Sequence, residues 1–121
     1  MERRRIIPLF ESQTADKTSG AVSILGAKKV VLVCKRASHT SGNTVFSATV
    51  GVGADLTTYN KWISNVTNTN AQMPTRVASL TLSADGVGFL TMSSEDTFDT
   101  IKVTADVSTD GSNSAWLILD Y

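Results

Sequence analysis

Residues 44–63 read TVFSATVGVGADLTTYNKWI. Phe46, Ala48, Val50 and Val52 alternate with Val45, Ser47, Thr49 and Gly51, which is the period of a strand with one apolar face and one small or hydroxylated face. A polar turn then leads to an aromatic patch, Tyr59 and Trp62. The same period recurs outward from this stretch. Residues 100–108 set Ile101, Val103, Ala105 and Val107 inward and Lys102, Thr104 and Asp106 outward. Residues 29–36 set Val30, Leu32 and Cys34 against Val31, Val33 and Lys35, with Lys and Arg at both ends, as a central strand with solvated tips. Residues 76–82 place Ala78, Leu80 and Leu82 on one face, and a further strand follows at 87–92. The last strand, 115–121, is apolar on both sides, with Trp116 and Ile118 opposite Leu117, Leu119 and Tyr121, so it should be covered twice.

The punctuation between these runs is regular. Ser83-Ala84-Asp85-Gly86 and Ser108-Thr109-Asp110-Gly111 repeat an S-x-D-G pattern, in which Asp is expected to cap its own backbone and Gly to take the left-handed position of a tight hairpin. Gly42-Asn43, in the turn SHTSGN, is expected to supply positive φ for a hairpin into the strand at 44. Residues 21–25 read as a short strand. Only residues 59–66 have room for a helical turn, and 65–72 read as an exposed loop. Seven to nine short strands with turns every 8 to 12 residues predict an all-β fold, an antiparallel β-sandwich of the jelly-roll or Ig-like kind.

Composition agrees. The 121 residues suit one domain with one core; 41% are apolar, 18% charged, and about a quarter are Ser or Thr. Net charge is zero, which leaves no global field for nucleic acid or an anionic membrane. Eight of the eleven Lys and Arg lie at or before Arg36, and seven of the eleven Asp and Glu at or after Asp85, a polarity suited to contacts between copies. A single cysteine, Cys34, excludes an internal disulfide and reads as a small buried hydrophobe. No run approaches the ~20 apolar residues of a membrane span.

Residues 1–19 read as an N-terminal arm and 20–121 as the sandwich domain. Arg3, Arg4 and Arg5 precede Ile6, Ile7, Leu9 and Phe10, an apolar tetrad that needs a surface to cover it. That surface is either the sandwich's own sheet, with the segment as an edge strand, or a neighbouring subunit. Arg3, Arg4, Arg5, Ile6, Ile7, Leu9 and Phe10 are therefore the candidate partner-binding residues. Tyr59 and Trp62 are a candidate ligand or contact surface.

The chemistry-bearing patterns are few. One His and one Cys in separate regions give no nucleophile–base pair, and G-x-S-x-G, P-loop and G-x-G-x-x-G sequences are missing. His39 stands in a turn without a second ligand. Glu95, Asp96 and Asp99 form the one dense acidic group, which reads as a solvated loop guarding a sheet edge rather than a cation site. No catalytic residue, metal or cofactor is expected, and the chain is not expected to be an enzyme.

The F-x-A-x-V strand, the Y-N-K-x-I and N-T-N-A-Q segments and the closing D-x-F-x-x-I-K-V … D-G-x-x-x-A-x-L-x-x-Y pattern, over residues 43–121, resemble small virion structural proteins of tailed bacteriophages. The resemblance implies a β-sandwich that decorates the capsid, with the major capsid protein and copies of itself as partners in a homo-oligomer such as a trimer. Its location would be the virion, on the capsid surface, after assembly in the host cytoplasm. It departs at Gly53-Ala54-Asp55-Leu56, where a third D-G turn is expected. A sugar- or receptor-binding module using Tyr59 and Trp62, or a head–tail connector or tail component, is the alternative.

Overall fold

The computed structural model describes residues 3–38, 40–52, 55–58, 62–66, 75–77, 79–91 and 99–121. Strands account for all of their regular structure: β1 (Arg4–Gln13), β2 (Lys17–Thr18), β3 (Val22–Ser23), β4 (Lys29–Ala37), β5 (Thr44–Val52), β6 (Asp55–Thr58), β7 (Trp62–Val66), β8 (Thr75–Val77), β9 (Ser79–Leu82), β10 (Gly86–Thr91), β11 (Thr100–Val107) and β12 (Ser112–Asp120). Nine of these have four residues or more, in keeping with the expected sandwich. The first sheet runs β1-β12-β4-β10-β7-β8 and the second β2-β11-β5-β6, with β3 also on β11 and β9 also on β5. All pairings are antiparallel.

The period-2 patterns decide which sheet faces meet. Leu32 and Cys34 of β4, Leu90 of β10, and Leu117 and Leu119 of β12 are fully buried against Phe46 and Val50 of β5 and Ile101, Val103 and Ala105 of β11. Each large apolar side chain so buried contributes roughly 1.5–3 kcal/mol. Gly88 marks a close approach between the layers: a Cβ there would lie 2.6 Å from Leu80 Cδ2. Burial pushes the Cys34 thiol well above its ordinary pKa, so it stays protonated and behaves as the expected small hydrophobe.

Several expectations are corrected. Residues 59–66 hold no helical turn where described; β7 occupies Trp62–Val66, so Asn65 and Val66 belong to a strand rather than a loop. The single strand expected over 76–82 is two, β8 in the first sheet and β9 in the second, with the chain changing sheets between them. None of the three turns at 38–43, 83–86 and 108–111 closes a hairpin. β4 already has β12 and β10 on its two edges, and β5 has β11 on one edge and β6 with β9 on the other. With both edges taken, the connections β4–β5, β9–β10 and β11–β12 must cross between sheets.

Arg36 explains why the crossings converge. It was expected at a solvated strand tip, yet it is 1% exposed. Its guanidinium donates to Gly42 O (2.9 Å), Ser41 O (2.9 Å), Leu82 O (2.8 Å) and Asp110 O (2.7 Å), so one side chain satisfies carbonyls of all three crossings. The Asp110 carboxylate, 3.5 Å from Arg36 Nη2, does not cap its own turn; it accepts from the Thr40 hydroxyl and from the backbone N–H groups of Thr40 and Ser41. Arg36 Nε has no hydrogen-bond partner and faces Gly111, where a Cβ would lie 2.6 Å away. Gly111 (φ 116°) and Gly42 (φ 75°) do take left-handed backbone.

Candidate interaction surface

The segment expected as an arm is built into the chain's own sheet: of its two readings, the edge strand is the one adopted. β1 pairs with β12 from Arg4↔Asp120 to Pro8↔Trp116, and then shifts register between Pro8 and Phe10 and again between Phe10 and Gln13. Ile7 and Leu9 are half-buried against the core, and Phe10 is 7% exposed within it. Ile6 is 62% exposed. Of the three arginines, Arg4 makes a two-pronged contact with Asp120 (2.8 and 3.3 Å), Arg3 lies over the Tyr121 ring at 5.6 Å, and Arg5 is exposed. The Arg4 hydrogen bond, with the charges of Arg4 and Lys29, lowers the Asp120 pKa. Two of the three arginines are thus engaged with the chain's own last two residues, Asp120 and Tyr121.

The apolar surface that is left open lies on the outer face of this first sheet. The register aligns Ile6, Ile118, Val31 and Thr91 in one row across β1, β12, β4 and β10, and Pro8, Trp116, Val33 and Phe89 in the next. Trp116, Ile118, Val31 and Phe89 are half-buried, Pro8 is exposed, and Val33, between two larger side chains, is buried. A charged row (Arg4, Asp120, Lys29) bounds the patch at one end and a mixed row (Ser114, Lys35, Val87) at the other. Where the register shifts spread β1 from β12, a groove of about 370 Å³ opens, lined by Ile6, Pro8, Phe10, Trp116 and Ala115, with Glu11 and Lys35 at its polar side. The double covering expected for β12 is therefore met on one side only: Leu117 and Leu119 are fully buried, while Trp116 and Ile118 are not.

The outer face of the second sheet is different in kind. Lys102 lies beside Thr49, Thr104 beside Ser47 and Asp106 beside Val45, and the hydroxyls of Thr18 and Thr104 lie 3.2 Å apart.

Of the other residues singled out from sequence, Trp62 opens β7 opposite Val77. Tyr59, His39, Glu95 and Asp96 lie outside the described residues. Asp99 accepts from the Thr100 hydroxyl at 2.7 Å. Among the described residues no group of three or more His, Cys, Asp or Glu is arranged to hold a metal ion, and no helix is long and apolar enough to cross a membrane. Trp116, Ile118 and Phe89 were not among the residues expected to touch a partner. The signal was present in the both-sided apolarity of β12, whose outer residues Trp116 and Ile118 are only half-buried.

A two-layer antiparallel β-sandwich with one hydroxylated and one apolar outer face is the class that these observations define. Its fold is similar to that of the SPBc2 prophage-derived protein YomS, with a TM-score of 0.68 at 8% identity over 100% of this chain and 96% of that one. A chain from the disulfide-linked pili of Bacillus endospore appendages aligns at a TM-score of 0.47 and 11% identity, over 99% of this chain and 84% of that one. No protein-family model and no curated protein matches the sequence.

Proposed function

We propose that this chain is a non-enzymatic structural protein of a bacteriophage particle, and specifically a capsid decoration protein that binds the assembled head and stabilises it. The observation that carries the reading is the open apolar face of the first sheet, Ile6, Pro8, Trp116 and Ile118, on a sandwich of zero net charge. Such a face is built to bury area against protein. A protein that binds only the assembled shell stabilises it by mass action and requires no reacting groups. The fold shared with a prophage-derived protein and the sequence resemblance over residues 43–121 point the same way.

The test is mass spectrometry and cryo-electron microscopy of particles purified from a phage or induced prophage that encodes the chain. The protein is expected in particles at a copy number commensurate with the major capsid protein and as density on the head. Particles that lack it, or density confined to the tail, would overturn the decoration role.

A further inference from the structure

We infer that the outer face of the first sheet is the interface of a two-fold symmetric dimer, so that a second copy of this chain covers Trp116. The argument begins with what the edge refuses. β1 ends the sheet, but Pro8 has no N–H to donate, two register shifts distort the strand, and Ser12 sits at φ 52°. These are the devices by which an edge avoids pairing with another strand. Growth of the sheet by strand addition is blocked, and the apolar area beside that edge is available only face-on.

The patch is also complementary to itself. Its four strands, β1, β12, β4 and β10, are centred between β12 and β4. A two-fold axis along the strands at that centre, with the aligned stacking usual for packed sheets, sets Ile118 against the partner's Val31 and Trp116 against the partner's Val33. It carries the partner's Phe89 over Pro8, onto the groove that the register shifts open beside Trp116. An aromatic ring thereby meets an apolar groove with an aromatic wall, the arrangement that dominates binding energy at interfaces. At the rim the same axis sets Asp120 against the partner's Lys29, twice over, so opposite charges face each other.

The size is adequate. Four strands at about 4.8 Å and seven residues at about 3.4 Å describe a plane of roughly 20 by 24 Å. Side-chain relief raises its accessible area toward the ~800 Å² per partner of a stable contact. With the apolar face buried between two copies, contact with a particle would fall to the rest of the dimer's surface, which includes the outer face of the second sheet with Thr49, Ser47, Thr104 and Lys102.

Sedimentation velocity of the purified chain at about 50 μM tests this; the expected species has twice the 12.9 kDa chain mass. Trp116→Lys should give a monomer with an unchanged far-UV circular dichroism spectrum. Should that variant misfold, Ile6→Glu, at a site already 62% exposed, serves instead and should weaken association about tenfold or more. Thr104→Lys, on the opposite outer face, should leave the dimer intact. A monomeric wild type, a dimer that survives both Trp116→Lys and Ile6→Glu, or a dimer broken by Thr104→Lys would each overturn the assignment. None of these outcomes depends on where the protein resides, so particle localisation and dimerisation fail or stand separately.

Discussion

The two outer faces of this sandwich carry opposite chemistry on equivalent backbone. On the second sheet the outward row of β11 is Thr100, Lys102 and Thr104, flanked by Ser47 and Thr49 of β5. On the first, the outward row of β12 is Trp116 and Ile118, flanked by Ile6, Pro8, Val31 and Val33. Both sheets bury their inner rows equally well, with Ile101, Val103, Leu117 and Leu119 all fully buried. The second sheet does without an apolar outer face, so the fold is not expected to require one on the first. That contrast is what the proposed interface would account for: Trp116 and its neighbours would answer to a second copy of the chain.

The largest test of that separation is Arg36→Met. All three crossings that hold the two sheets in register at this end meet on its guanidinium, so both faces depend on it alike. The expected loss is about 3–5 kcal/mol in chemical denaturation, because four charge-assisted hydrogen bonds are lost together and the Leu82 carbonyl is left buried without its partner. Next, Leu117→Ala should cost about 2–5 kcal/mol, the penalty for a cavity in the core. Ile6→Ser, on the outer side of the same sheet, should change monomer stability by no more than about 0.5 kcal/mol. Equal costs for the two would mean that the outer face belongs to the fold after all.

The smallest effect is one of pH. Hydrogen bonds from the Thr40 hydroxyl and backbone N–H, then from the Ser41 N–H, with the Arg36 charge, hold Asp110 below the usual carboxylate range. A group whose folded pKa is depressed contributes stability above its unfolded value, about 3.9, and loses it as pH falls through the folded pKa. The melting temperature should therefore decline as pH drops below about 4, and Asp110→Asn should flatten that decline.

Much of the fold was legible because alternation is a local property. Ile101, Val103 and Ala105 against Lys102, Thr104 and Asp106 name their own faces, and the structure agrees. The pairing partners were not legible, since an S-x-D-G turn fixes a few dihedral angles whether the next strand joins the same sheet or the opposite one. Arg36 was misread although its parity placed it with Val30, Leu32 and Cys34; charge type was given more weight than position, and a buried arginine satisfied by three loops has no local signature. The apolar tetrad at 6–10 was read as needing cover, which holds for Ile7, Leu9 and Phe10. The proposed contact surface was only half visible, because the row joining Pro8, Trp116, Val33 and Phe89 exists only once four distant segments lie side by side.

The buried guanidinium also bears on the order of events in folding. Its acceptors on Leu82 and Asp110 lie 46 and 74 residues further along the chain, so it cannot leave water at low cost until strands of both sheets are in place. A contact of this kind is expected to close late, after the folding transition state. Arg36 then acts as a latch: its loss should leave the rate of assembly nearly unchanged and appear as faster opening, in the unfolding arm of the Arg36→Met chevron. In the role proposed above, where the chain would hold other proteins together, slow opening is the property that matters.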